Sequence, residues 1–117
     1  MKLTPSDFGG ALAVEGYGPG FFRVGRTVMQ GAVLVTAGEA DAWGGLDDRA
    51  ALLALGGRID VLFLGMGADV AHAPADLVAA LREIGIAVES MSSPTAARSY
   101  NVTVAEGRRV ACALLPL

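Results

Sequence analysis

Residues 59–90, IDVLFLGMGADVAHAPADLVAALREIGIAVES, decide the fold class. Ile59–Gly65 is an almost unbroken apolar run of strand length closed by glycine, the pattern of a strand buried on both faces. Pro74 opens the next stretch, Leu77, Val78 and Leu81 recur at helical spacing, and Gly85 stops it. Residues 86–90 then form a short further strand. Strand, helix and strand in this order form a crossover between parallel strands, so the sheet is at least partly parallel.

The neighbouring segments extend this pattern in both directions. Upstream, Asp47 or Asp48 caps a helix over residues 49–57, RAALLALGG, in which Ala51, Leu52 and Leu55 share a face and Gly56-Gly57 ends the turn. Residues 32–36, AVLVT, lie between Gly31 and Gly38 as another buried strand. At the start, ALAVEGYG and FFRVG flank Gly18-Pro19-Gly20, a turn signal because proline fixes φ and glycine permits positive φ. This reads as a β-hairpin. Downstream, NVTV is β-branched, yet Ser93-Pro94 is a helix-starting pair and Ala97, Tyr100 or Asn101, and Val104 fall on one helical face. Residues 94–105 are therefore read as helix, and RVACALLPL as a last strand ended by Pro116. The expected architecture is a single three-layer α/β domain over residues 1–117. It has a mixed, mostly parallel central sheet, flanking helices and an N-terminal β-hairpin-like region.

Composition narrows the function classes. At 117 residues the chain can build a core without disulfides or metals. Its hydrophobic fraction of 53% and mean hydropathy of +0.50 raise the question of a membrane span. The longest charge-free run, Thr27–Gly38, is interrupted by Gln30 and Thr36 and is far short of the ~20 apolar residues that a spanning helix needs. MKLTPSDFGG has no following apolar core, so no signal peptide is read and a soluble, cytoplasmic protein is expected. Net charge −3 argues against a nucleic-acid partner. Lys2 is the only lysine, which leaves Schiff-base and P-loop chemistry without a plausible residue. His72 is the only histidine, so a triad or multi-histidine metal site has nothing to build on, and it reads as a loop residue. Cys112 alternates with Val110 and Leu114 and reads as a buried thiol. Trp43 reads as a plug seating a long loop on the core, with a partner anchor as the alternative. No cofactor and no metal are expected.

Two places could carry a site. Residues 16–20, GYGPG, superficially match a dinucleotide fingerprint but lead into a strand, so they are a turn. LGMGAD at 64–69 ends a buried strand, where glycines let backbone amides approach a ligand; a tight turn is the plain alternative. SSPTAARSYN at 92–101 follows the next strand. A helix capped by Ser93 with Pro94 behind it would offer amides to an anion, and Arg98 would add a fork of donors. The plain alternative is a helix start whose Tyr100 and Asn101 bond loop backbone. The candidate ligand- or partner-binding residues are Gly65, Met66, Gly67, Ser92, Ser93, Arg98, Tyr100 and Asn101.

Gly65 and Gly67 after a hydrophobic strand, the helix segment Ala97-Arg98-x-Tyr100-Asn101, and Glu106-Gly107-Arg108 before an alanine-rich strand together resemble one family. Its members include mitochondrial complex I assembly factor three, the adipogenesis-associated Mth-domain protein and uncharacterised bacterial relatives. GYGPGFFRVG, GAVLVT and Trp43 stand upstream in the matching order, so the resemblance covers most of the chain. It implies a three-layer α/β domain with a mixed sheet, no defined enzymatic activity, and, for the mitochondrial members, a part in assembling respiratory complex I. Ser99 stands where the family pattern has threonine. Met66 occupies a position that is often small or polar, which favours an apolar contact there.

Three functions remain open on these grounds. The first is a non-catalytic binding or assembly factor, of the respiratory-complex or membrane-protein-biogenesis type, gripping a protein partner with the Gly65–Asp69 and Ser92–Asn101 edge. The second is a small-molecule anion binder or cryptic enzyme using the same edge. The third is a structural homo-oligomer such as a homodimer. The lack of a catalytic lysine, a histidine pair or a reactive cysteine favours the first.

Overall fold

A computed structural model of the chain describes residues 10–69 and 71–117. Lys2 and the N-terminal stretch read as lacking an apolar core lie outside them. The elements run β1 (Val14–Gly18), β2 (Phe21–Val24), β3 (Thr27–Gln30), β4 (Val33–Thr36), β5 (Ala40–Ala42), α1 (Arg49–Leu53), β6 (Val61–Gly65), α2 (Ala75–Glu83), β7 (Ala87–Met91), α3 (Ser93–Ala105) and β8 (Val110–Leu114).

The first three strands form an antiparallel meander. Pro19 sets the first turn and Gly20 takes φ +76°, as read from the sequence. The second turn is made by Gly25 and Arg26 at φ 53° and 70°, a two-residue hairpin turn whose twist suits the flanking strands. The expected hairpin is thus the front of a three-stranded sheet.

The remaining strands make a five-stranded mixed sheet in the order β5-β4-β8-β6-β7. β6 pairs parallel with β7 and β8, while β4 pairs antiparallel with β5 and β8, so the parallel share is two pairings of four. The layering follows from chirality. The step from β6 through α2 to β7 goes one way along the sheet, and the step from β7 through α3 to β8 returns across β6. Right-handed crossovers in opposite directions put their helices on opposite faces.

Two cores result. On one face Leu62, Leu64, Ala111 and Ala113 pack with Leu52 of α1 and with Leu77 and Leu81 of α2. On the other, Val33, Val35, Phe63, Cys112 and Leu114 pack with Ala97 and Tyr100 of α3 and with Phe22, Val24 and Met29 of the meander. β8 is the central strand, and all five of its residues are buried. Helix α1 is shorter than expected, but Leu55 beyond its end remains buried in the same cluster. Asp48 is its cap, accepting from the Ala51 amide at 3.4 Å.

Candidate functional site

Gly65 ends β6 directly under the first turn of α3. A Cβ there would meet Ser93 Cα and Oγ at 2.7 Å and Leu114 Cδ2 at 2.9 Å, so the glycine permits a close backbone approach. Ser93 is wholly buried. Its Oγ accepts from the Gly67 amide at 2.9 Å and donates to the Leu115 carbonyl at 2.6 Å. Its own amide donates to the Gly67 carbonyl at 2.7 Å. Gly67, at φ +85°, curls the strand end back to make these bonds.

This corrects the expected cap. Ser92 is the N-cap residue and Ser93 the first helical one. The Ser92 hydroxyl bonds Thr95 Oγ1 at 3.0 Å and caps no backbone amide. The Ser93 amide is taken by Gly67, Pro94 has none, and the Ala96 amide donates to the Ser92 carbonyl at 2.9 Å. Of the amides at the helix start, at most those of Ser92 and Thr95 are left, so it is a poorer anion cradle than the sequence suggested. Met66 is half-buried against the core beneath α1 and α2, on the far face of the sheet from α3. The eight candidate residues therefore do not share one surface.

Tyr100 and Asn101 fasten α3 to the N-terminal segment. The buried Tyr100 hydroxyl donates to the Leu12 carbonyl at 2.7 Å. Asn101 Oδ1 accepts from the Val14 amide at 2.9 Å and Nδ2 donates to the Val14 carbonyl at 2.8 Å. One side chain thus pairs both backbone groups of a β1 residue, as a neighbouring strand would. Burial holds the Tyr100 phenol and the fully buried Cys112 thiol above their ordinary titration ranges. Trp43 plugs its loop as read, donating Nε1–H to the Asp48 carbonyl at 3.1 Å. His72 is exposed. Among the described residues no cluster of three or more His, Cys, Asp or Glu is placed to hold a metal ion.

Arg98 takes a different role from its helix neighbours. It is exposed, and its guanidinium reaches only Thr95 Oγ1, at 3.3 Å. It lines a groove of about 450 Å³ between α3 and the edge strand β7. Phe63 forms the floor, its register partner Glu89 the β7 wall, and Arg98 and Val102 the α3 wall. Arg108 closes the far end. It is placed there by a glycine turn in which the Gly107 amide (φ +81°) donates to the Val104 carbonyl and the Arg108 amide to the Thr103 carbonyl. Neither Arg108 nor Glu89 forms an ion pair among the described residues, and Val102 is 60% exposed. Sequence reading singled out Arg98 but missed Glu89, Val102 and Arg108. The Glu106-Gly107-Arg108 signature was the available signal, because a glycine stop turns the next side chain back along the helix.

The profile of the family described as a protein of unknown function (DUF498/DUF598) matches residues 14–115, and the chain belongs to that family. An uncharacterised protein of Rhodobacter capsulatus is 53% identical over 117 residues, covering 100% of this chain and 94% of that one. NADH dehydrogenase (ubiquinone) 1 alpha subcomplex assembly factor 3 of Danio rerio is 39% identical over 59 residues, 50% of this chain and 34% of that protein. Among solved structures, an outer membrane protein from Bartonella henselae superposes with a TM-score of 0.83 at 29% identity, over 93% of this chain and 98% of that one. A Bordetella pertussis protein described as a Mth938-like domain gives 0.75 at 27% identity, over 89% and 85%. The resemblance read from the residues is thereby shown, as is the mixed α/β fold. No helix of the described residues is long and apolar enough to cross a membrane.

Proposed function

We propose that the chain is a non-catalytic binding protein of the assembly-factor type, which grips a protein partner through the α3–β7 groove. The observation that carries this reading is the groove itself. An exposed valine shares the groove with two arginines, neither of them ion-paired among the described residues, against a single glutamate, beside the edge strand of the sheet. Such a mixture of apolar and cationic surface suits another macromolecule. The hydroxyls and amide that made Ser93, Tyr100 and Asn101 candidates for binding are spent on backbone partners inside the fold. The distant likeness to an assembly factor of NADH dehydrogenase supports the same class and directs the choice of assay.

The test is deletion of the gene in its host, followed by native-gel separation of respiratory complex I. Loss of the assembled complex, restored by the wild-type chain but not by Val102→Asp, is expected. Normal assembly in the deletion strain would refute the respiratory version of the reading.

A further inference from the structure

The groove has a direction and a charge pattern that together specify an occupant. β7 is the outer strand of its sheet. The Ala87 amide donates to the Asp60 carbonyl at 2.9 Å and the Met91 carbonyl accepts from the Met66 amide at 2.8 Å, both toward β6. Backbone groups alternate sides along a strand, so Val88 and Ser90 turn their N–H and C=O outward, where a further strand would pair. Such edges are a recurrent place for a partner's extended segment to add on.

Charge then selects the segment. The chain as a whole carries −3, yet this groove holds two arginines against one glutamate. Helix α3 rises about 1.5 Å per residue, which puts roughly 10 Å between Arg98 and the turn carrying Arg108. A single phosphate or carboxylate would call for guanidinium groups that converge, whereas the Arg98 guanidinium bonds Thr95, toward the start of α3, and Arg108 follows the end of that helix, with Val102 between them along it. In an extended chain, side chains four positions apart face the same way about 13 Å apart, close to that spacing. Glu89 is paired in register with Phe63 at mid-groove, so it repels an acidic group there and leaves the ends for carboxylates.

We infer that the α3–β7 groove binds an extended acidic segment of a partner protein lying along β7. Two carboxylates four residues apart meet Arg98 and Arg108, and an apolar side chain between them covers Phe63 and Val102. The inference rests on the reading of the chain as a binding protein and names the partner's chemistry.

The probe is a capped peptide centred on Glu-Thr-Val-Thr-Glu, titrated into the full chain and followed by amide NMR and fluorescence anisotropy. Expected are shifts at Val88 and Ser90 and along α3 from Arg98 to Thr103. Binding should weaken about tenfold for each of Arg98→Glu and Arg108→Glu, and about tenfold for each peptide glutamate changed to glutamine. Both arginines are exposed, so these variants keep the fold, which the same spectra verify. Absence of shifts at about 1 mM peptide overturns the inference. So does binding indifferent to both arginines, or glutarate alone shifting the same amides with equal affinity, which would hand the groove to a small anion. Arginine-dependent peptide binding together with normal complex I assembly in the deletion strain would leave the groove standing and remove only the respiratory reading.

Discussion

Gly65→Ala asks whether the glycine at the end of β6 exists for packing or to leave space for a ligand. The φ of Gly65 is not in the left-handed region, so alanine costs nothing in backbone conformation and the penalty is steric. Two of the three atoms its Cβ would meet can adapt, Ser93 Oγ at 2.7 Å and Leu114 Cδ2 at 2.9 Å. The third, Ser93 Cα at 2.7 Å, is backbone and yields only if the start of α3 moves. Overpacking of this kind costs about 1–3 kcal/mol. Moving Ser93 also stretches its bonds to Gly67 and Leu115, of which losing one costs about 1 kcal/mol more. The sum, roughly 2–4 kcal/mol, corresponds to a Tm lower by on the order of 10 °C for a domain of this size. Calorimetry with urea unfolding at constant slope measures it. Ser93→Ala in a double-mutant cycle sharpens the test, because removing Oγ relieves one clash but leaves the one with the helix backbone. The double variant should be less destabilised than the two single changes combined, by about 1 kcal/mol. A Gly65→Ala protein within about 0.5 kcal/mol of wild type would refute the packing argument and return the loop to consideration as open ligand space.

Asn101→Asp retains the acceptor for the Val14 amide but loses the donor to its carbonyl and faces it with a carboxylate, so a loss of about 2 kcal/mol in urea unfolding is expected. Unchanged stability would mean that Asn101 is not what holds β1. The raised Tyr100 and Cys112 pKa values fix a sign: stability from keeping both groups neutral is fully present below their unfolded-state values, about 8.5 for the thiol and 10 for the phenol, and is lost as pH rises above them. Tm should thus fall on the alkaline side, Cys112→Ala should remove the earlier part of the fall, and a thiol reagent should react only after unfolding. The Arg49 guanidinium, bonded to Asp76 at 2.7 and 3.3 Å, holds that carboxyl below its usual range. Its contribution is present above the ordinary carboxylate pKa and lost as pH falls, so Asp76→Asn should lower Tm slightly at neutral pH, with the difference closing in acid and in high salt.

What could be read from the sequence was whatever local periodicity controls. The unit β6–α2–β7 was legible because a long apolar run, a proline-opened helix and a glycine stop agree with one another. Helix α3 was legible over its β-branched NVTV because the buried face Ala97–Tyr100–Val104 has helical spacing. β3 and β5 were not, being four- and three-residue strands without clear alternation, and Arg26 gives the Gly25-Arg26 turn none of the usual Asn-Gly signal. Between two adjacent serines the cap register was settled by tertiary bonds, since the Ser93 hydroxyl is held by Gly67 and Leu115 and Ser92 takes the outer place. Asn101 and Val14 lie 87 positions apart, so no local pattern could announce their pairing. The groove is legible only in part for the same reason, because Glu89, Arg98 and Arg108 meet through the crossing of α3 over β6.

Helix α3 separates two duties by rotation about its axis. Ala97, Tyr100 and Val104 turn inward and Asn101 grips β1, so substitutions there are read as stability. Arg98 and Val102, four residues apart and therefore neighbours on the outer face, touch little of their own fold and are read as binding. A motif written as Ala97-Arg98-x-Tyr100-Asn101 merges the two duties because it follows the chain, whereas the physics follows the 3.6-residue turn. A related chain can therefore keep the inward residues, and with them the packing of α3 on the meander, while exchanging residues 89, 98, 102 and 108. Fold and partner choice are then separable, and resemblance along this helix argues for a shared partner only where the outward positions also match.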